Sequence, residues 1–252
     1  MDLGLKGKKV ILTGGSRGIG RAALEIFAEE GCDVAFFSRN PEQVEETVKS
    51  LSRHGGKVFG EALDMGDLDA YKAWLEKAAG ELGGCDIFVP GASASGQGAT
   101  DNWDACYNTD IRGTVIGCET LEPWLEKSGS GAIVMMASTA GTETFIVPQA
   151  FNALKAALMT YSGQLSQMVG PKGIRVNCVS PGPIYFPGGN WEAIKGAAPA
   201  LYDATEAAFA LGRWGGPDEV AKTIVFLASP ASSYTTGTNV IIDGGYTKRV
   251  QF

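Results

Sequence analysis

The stretch Thr13-Gly14-Gly15-Ser16-Arg17-Gly18-Ile19-Gly20 decides how this chain of 252 residues folds. It lies between a short apolar run, Val10-Ile11-Leu12, and a stretch with helical spacing, Arg21-Ala22-Ala23-Leu24. Glycines between a strand and a helix allow a tight turn and a close approach of backbone to a pyrophosphate, at which the helix N-terminus points. The stretch therefore predicts a βαβ unit with a dinucleotide site in its first turn.

Apolar, β-branched runs recur along the chain and alternate with stretches that have helical spacing, as is typical of a parallel sheet with helices on both faces. The runs predict seven strands, at Lys9–Thr13, Asp33–Ser38, Lys57–Leu63, Asp86–Val89, Ala132–Ala137, Ile174–Val179 and Asn239–Asp243. Helices are predicted over 17–30, 41–54, 68–82, 101–127, 148–169 and 217–228. Right-handed crossovers then give an α/β fold, a doubly wound (Rossmann) parallel sheet in a single domain over residues 1–252.

The longest stretch without a regular pattern runs from Pro181 to about Ala198, and a helix is expected after it. Long irregular segments in compact domains usually hold ligands. We therefore predict a substrate loop over about 183–213.

Composition and charge exclude several classes of protein. The net charge of −7 argues against a nucleic acid or an anionic membrane surface as partner. No stretch approaches the roughly 18 uninterrupted apolar residues of a membrane-spanning helix. The five cysteines form no Cys-x-x-Cys pair, and the single histidine, His54, has no partner for metal binding. These features predict a cytoplasmic protein with reduced thiols and no metal site.

The residues after the second predicted strand indicate which nicotinamide cofactor is bound. Enzymes that use NAD carry an acid there for the ribose 2′-hydroxyl, whereas an arginine accepts the 2′-phosphate of NADP. This chain reads Phe37-Ser38-Arg39-Asn40, and Arg17 in the glycine turn adds a second positive charge. NADP(H) is therefore favoured, with NAD(H) as the alternative.

A second motif, Phe151-Asn152-Ala153-Leu154-Lys155, follows Ser138 by thirteen positions. Together with the glycine turn it resembles the classical short-chain dehydrogenase/reductase family, over nearly the whole chain. In that family a tyrosine donates a proton, a lysine lowers the pKa of the tyrosine, a serine orients the substrate and an asparagine holds a water. The resemblance implies that Ser138 and Lys155 have the roles of the family's serine and lysine. Phe151 then occupies the position of the tyrosine, and Asp110 occupies the position of the asparagine.

The resemblance also implies which residues contact the cofactor and the substrate. A third departure lies after the fourth strand, where the family's Asn-Asn-Ala-Gly reads Pro90-Gly91-Ala92-Ser93. The implied cofactor contacts are Gly14, Ser16, Arg17, Gly18, Ile19, Gly20, Arg39, Asp64, Met65, Ala92, Lys155, Pro181, Gly182 and Ile184. The implied substrate contacts are Ser138, Phe145, Tyr185, Phe186 and Trp191, whose rings suit a bulky apolar or aromatic molecule or else pack together as a lid.

The missing tyrosine leaves three functions open. The first is NADP(H)-dependent interconversion of an alcohol and a carbonyl, with loss of the acid costing about 10²–10⁴ in rate unless water, Ser138, Glu143 or Tyr185 replaces it. The second is a catalytically silent subunit of a heteromeric dehydrogenase. The third is a non-redox lyase or isomerase that uses Asp110 and Lys155, which are expected to form a buried ion pair.

Assembly is predicted from an apolar ladder at Trp103, Tyr107 and Ile111. Members of the family usually pair the helices that correspond here to 101–127 and 148–169. The resemblance therefore implies a homodimer or homotetramer, in which the C-terminal run from Tyr246 to Phe252 reaches a neighbouring subunit.

Overall fold

The computed structural model describes residues 2–95, 100–145 and 147–250. Its centre is a sheet of seven parallel strands in the order β3-β2-β1-β4-β5-β6-β7. The strands are β1 Lys9–Thr13, β2 Asp33–Ser38, β3 Val58–Ala62, β4 Ile87–Pro90, β5 Ala132–Met136, β6 Arg175–Pro181 and β7 Asn239–Ile242. The predicted single-domain Rossmann architecture is confirmed, and the strand ends differ from the prediction by no more than two residues.

Helices cover both faces of the sheet. They are α1 Gly18–Glu29, α2 Pro41–Leu51, α3 Leu68–Leu82, α4 Trp103–Cys106, α5 Gly113–Lys127, α6 Ala150–Val169, α7 Asn190–Ala197, α8 Pro199–Ala208 and α9 Pro217–Ala228. A π-helical segment, Tyr107–Arg112, joins α4 to α5. None of the helices in the described part of the chain combines the length and the apolarity needed to cross a membrane.

The strands read as continuous apolar runs because both of their faces are buried. In β1, Val10 and Leu12 belong to the core beneath α1, α2 and α9, and Ile11 belongs to the core beneath α3, α5 and α6. Successive side chains of a strand point to opposite faces, so each face needs its own apolar set.

The strand order places a crevice between β1 and β4. The chain moves outward from β1 to β3 and then returns to the other side of β1, so the connections after β1 and β4 diverge at the carboxyl edge of the sheet. Ligands of open α/β sheets bind at such a switch point. Thr13 Oγ1 holds the two connections together by accepting hydrogen bonds from the backbone of Gly91 at 2.9 Å and Ala92 at 3.0 Å.

Two helical predictions are corrected by the structure. The helix expected over 101–127 is divided into α4, the π-helical segment and α5. The stretch from Pro181 to Ala198 is not irregular throughout, because α7 occupies Asn190–Ala197. This helix is only 8 residues long and has no buried residue, so it lacks the apolar stripe that identifies a helix in sequence.

Candidate active site

A cavity of about 960 Å³ opens at the carboxyl edge of the sheet and extends from the glycine turn to α6. Every residue predicted to contact the cofactor lies on its wall, from Gly14 to Ile184. Ser138, Phe151 and Lys155 line the same cavity, as do the predicted substrate residues Phe145, Phe186 and Trp191. Two predicted residues, Asp110 and Tyr185, do not line it.

The glycine turn brings backbone rather than side chains to the cavity wall. Gly14 and Gly18 have φ angles of +79° and +57°, which favour glycine. A Cβ atom at Gly20 would lie 2.3 Å from the carbonyl oxygen of Gly14, so the start of α1 tolerates no side chain there. The N–H groups of Gly14 and Gly15 donate to the carbonyl oxygen of Phe37 at 3.2 Å. The turn thus brings the positive end of α1 to the cavity, an arrangement that fits a pyrophosphate.

The segment after β6 lies over this turn. The ring of Phe186 is so close to Gly18 that a Cβ atom there would lie 2.8 Å from it. Arg17 Nη1 donates a hydrogen bond to the carbonyl oxygen of Gly188 at 3.1 Å. The predicted substrate loop therefore begins directly above the predicted pyrophosphate position.

Arg39 follows β2 at the edge of the cavity and is exposed. It forms no hydrogen bond or salt bridge with another residue of the described ranges. At the end of β2, Ser38 Oγ contacts Ser16 Oγ at 2.7 Å, and no acid occupies the position that would hold a 2′-hydroxyl. An arginine without a counter-ion beside two hydroxyl groups fits a phosphate better than a ribose hydroxyl.

Lys155 occupies the opposite end of the cavity, where α6 crosses the sheet. Its side chain is 6% exposed. Nζ donates a hydrogen bond to the carbonyl oxygen of Met136, at the end of β5, at 2.7 Å. The same Nζ lies 2.9 Å from Asp110 Oδ1 and 5.5 Å from the centroid of the Phe151 ring. The predicted ion pair of Lys155 and Asp110 is thus present in the structure.

Asp110 belongs to the π-helical segment, a wider helical turn of the kind that often occurs at functional sites. Its side chain is 1% exposed. Oδ2 accepts a hydrogen bond from the backbone N–H of Ala94 at 3.0 Å. Oδ1 is in contact with Lys155 but accepts no well-oriented hydrogen bond from the described residues. The carboxylate therefore depends mainly on the lysine charge and on one backbone donor for its stability.

Two buried thiols lie near this pair. Burial, with a further contribution from Asp110, raises the pKa of the Cys106 thiol in α4. Burial raises the pKa of the Cys178 thiol in β6 to about 11, and Lys155 opposes this only in part. Both thiols are consequently protonated and neutral near pH 7, so they do not alter the charge of the pair.

Ser138 presents a hydroxyl group to the cavity. It caps the short 3₁₀ turn Thr139–Gly141, and its Oγ accepts a hydrogen bond from the N–H of Ala140 at 3.2 Å. Its own O–H donates to no acceptor among the residues that the structure describes, so it is available to a substrate oxygen. Phe151, on the first turn of α6, lines the same cavity and carries no exchangeable proton.

The aromatic residues of the substrate loop lie partly on the cavity wall and partly behind it, and a contact between Trp191 and Trp214, at a centroid distance of 4.9 Å, joins the two sets. Phe145 and Trp191 meet at 6.5 Å on the cavity wall. Tyr185 instead packs with Tyr202 and Trp214, at centroid distances of 6.0 and 6.2 Å, behind that wall. Tyr185 therefore lies off the cavity wall, with its hydroxyl directed to Glu192 at 3.5 Å, and its contact with a substrate stays a prediction.

Some residues on the cavity wall were not predicted. Asn152 donates to the carbonyl oxygen of Phe145 at 3.4 Å, and its buried Oδ1 has no partner among the described residues. Tyr246 and Lys248 of the C-terminal segment also line the cavity, where the N–H of Lys248 donates to Glu143 Oε1 at 3.3 Å. This part of the C-terminal segment folds onto its own site, whereas 251–252 lie outside the described residues.

Comparison with known proteins is consistent with this geometry. Residues 14–247 match the family model described as enoyl-(acyl carrier protein) reductase. An isoepoxydon dehydrogenase of Penicillium expansum is 37% identical over 257 aligned positions, which cover 100% of this chain and 99% of that protein. A 3-oxoacyl-(acyl-carrier-protein) reductase of Chlamydia pneumoniae is 31% identical over 256 aligned positions, which cover 98% of this chain and 100% of that protein.

Solved structures show the same fold. The L-sorbose reductase of Gluconobacter frateurii, in complex with NADPH and L-sorbose, superposes with a TM-score of 0.89 at 30% sequence identity. The match covers 99% of this chain and 100% of the other.

The replacement Lys155→Met should lower the free energy of unfolding by about 3–5 kcal/mol, because the Asp110 carboxylate would remain buried without its counter-ion. Adding Asp110→Asn to Lys155→Met should restore part of this loss. Urea denaturation measures both effects. Lys222→Met, in the exposed pair with Asp218 at 2.9 Å, is the matched control and should cost far less. Equal losses at the two lysines would show that the buried pair has no special energetic role.

Proposed function

The chain belongs to the short-chain dehydrogenase/reductase family, and we propose that it binds NADP(H) and interconverts an alcohol and a carbonyl on a small apolar or aromatic molecule. One observation carries this proposal: a single cavity joins Arg39, which has no counter-ion in the described structure, to Ser138 and Lys155. Its volume of about 960 Å³ lies at the upper end of ordinary ligand pockets, as a dinucleotide and a substrate together require.

The residues on the wall fit the cofactor along its whole length. Arg39 would hold the 2′-phosphate, and Asp64 and Met65 would frame the adenine beside it. The glycine turn would hold the pyrophosphate with the positive end of α1. Lys155 would bind the nicotinamide ribose through an N–H that it does not donate to Met136. When bound, NADPH supplies the hydride that reduces a carbonyl carbon.

The catalytic end of the cavity would orient a carbonyl but donate a proton poorly. The free O–H of Ser138 would bind the substrate oxygen, and the Phe145 and Trp191 rings would cover an apolar body. Phe151 lines the cavity and supplies no acid. We therefore propose that the unaltered chain turns over slowly, with solvent as the source of the proton.

We also propose that the chain works in the cytosol, as the sequence predicts. All five cysteines are buried as thiols, which supports a reducing compartment such as the cytosol.

We further propose that the chain forms a homodimer or homotetramer. Trp103 and Tyr107 are 57% and 48% exposed, one turn apart on α4 and the segment after it. Exposed aromatic pairs of this kind mark interaction surfaces.

Arg39→Ala should weaken binding of NADPH about 10- to 100-fold, since a charge-assisted hydrogen bond contributes about 1.5–3 kcal/mol. Binding of NADH should change much less, because it lacks the 2′-phosphate. Calorimetric titration of both cofactors gives the ratio directly. Arg53→Ala removes an equally exposed arginine outside the cavity and serves as the control. An equal loss for both cofactors would argue against the assigned phosphate contact.

Phe151→Tyr should raise NADPH-dependent reduction of apolar ketones by at least about tenfold, because it adds a hydroxyl group beside Ser138 and Lys155. The measurement is the decrease in absorbance of NADPH against a panel of ketones, with the unaltered chain in parallel. Turnover by neither protein, despite tight binding of NADPH, would contradict the proposed oxidoreductase activity.

Gel filtration of the unaltered chain should give an apparent mass of two or four times 26.4 kDa. Trp103→Glu should shift the protein to a smaller species, because a charge would then lie in the centre of the apolar contact. A chain that already elutes as a monomer would refute the assembly.

A further inference from the structure

The buried pair at the end of the cavity has an electrostatic consequence that does not depend on which substrate is bound. Lys155 lines the cavity, and its ammonium group lies 5.5 Å from the centroid of the Phe151 ring. A lone cation at that distance would favour negative charge on any oxygen above the ring. Here a carboxylate oxygen of Asp110 lies 2.9 Å from the same ammonium group, on its buried side.

Other groups that face Lys155 do not restore a positive charge. Cys106 of α4 and Cys178 of β6 have raised pKa values and stay neutral near pH 7. Glu143, in the loop after β5, and Lys248, in the C-terminal segment, also line the cavity. One side chain is acidic and the other basic, so together they add no net charge. The catalytic end of the cavity therefore presents an ion pair whose net charge is zero.

We propose that Asp110 cancels the charge of Lys155 at the point where a substrate oxygen gains negative charge, so that positions 110 and 151 are functionally coupled. Asp110 acts through Lys155 and is a positioning residue. A hydroxyl group placed at position 151 becomes a fully effective acid only when the carboxylate at position 110 is also removed. The coupling itself is independent of the proposed function, and only its rate measurement rests on that function.

The expected size of the coupling follows from the distances. An opposite charge within about 4–6 Å lowers the pKa of an acid by about 1–3 units. The ring of Phe151 is within this range of Lys155 Nζ, so a phenol at this position would gain that shift from an uncompensated lysine. With Asp110 in contact with the same ammonium group, most of the gain is lost, and burial raises the pKa of the phenol in addition.

The test is the titration of the phenol introduced by Phe151→Tyr, with and without Asp110→Asn, followed by NMR of ring-labelled tyrosine. Asparagine has nearly the shape of aspartate and keeps one acceptor for Ala94 or Lys155. With Asp110 present, the phenol should titrate at or above the ordinary value of about 10. With Asp110→Asn, its pKa should fall by about 1–3 units. Asp203→Asn, an exposed carboxylate of α8 outside the cavity, is the matched control and should leave the pKa unchanged.

Equal pKa values with and without Asp110→Asn would overturn the proposal. If the double variant does not fold, the single variant still decides: a phenol that titrates more than one unit below the ordinary value of about 10, with Asp110 in place, overturns the proposal. A phenol at or above that value supports it.

The rate measurement tests the consequence for catalysis. In the reduction, hydride passes from NADPH to the carbonyl carbon, the carbonyl oxygen takes the proton of the introduced phenol, and solvent returns a proton to the phenolate. Asp110→Asn should raise kcat at pH 7 at least about tenfold more in the Phe151→Tyr background than in the unaltered background, where no acid is present.

The two sets of results separate the coupling from the proposed function. A shift in the pKa of the phenol without turnover by any variant would support the coupling and refute the oxidoreductase activity. Turnover by Phe151→Tyr that Asp110→Asn does not increase, together with an unshifted phenol, would support the activity and refute the coupling.

Discussion

The contact between the Lys155 ammonium and the Asp110 carboxylate connects the parts of the molecule that form the site. Lys155 belongs to α6 and binds the end of β5 through Met136, whereas Asp110 belongs to the π-helical segment and binds the loop after β4 through Ala94. Two charges this deeply buried are stable only together, because either one alone would lose its hydration without replacement. The pair consequently fixes the relative positions of α6, β5 and the loop that forms one wall of the cavity.

The end of the cavity at the glycine turn is shaped by the need to hold a phosphate chain. The first connection of the sheet must leave room for a phosphate chain, so it is rich in glycines whose Cβ positions would be occupied by neighbouring atoms. Arg39 remains exposed and without a counter-ion in the described structure. The cofactor end thus offers uncompensated positive charge, and the catalytic end offers charge that is already neutralised. This contrast supports the proposal that the chain binds NADP(H) and transfers a proton slowly.

The sequence was sufficient for the sheet, the glycine turn and the ion pair, and insufficient for the loop. A buried parallel strand reads as an apolar run whatever surrounds it, so the strands were found within two residues. The pair of Asp110 and Lys155 was found because both positions could be aligned with a motif. The position of Tyr185 off the cavity wall could not be read from the sequence, because the direction of a loop side chain depends on packing with Tyr202 and Trp214, which are distant in sequence. The residues next to Tyr246 in the sequence do not indicate that it lies at the cavity, because its position depends on how the C-terminal segment folds back.

A crystal structure of the unaltered chain with NADP⁺ bound would test the account most directly. We expect the 2′-phosphate on Arg39, the pyrophosphate over the glycine turn, and Lys155 hydrogen-bonded to the nicotinamide ribose while its Nζ stays within 4 Å of Asp110. A cofactor bound with Lys155 released from Asp110 would contradict the claim that the catalytic end is electrically neutral. An empty cavity at saturating NADP⁺ would contradict the cofactor assignment itself.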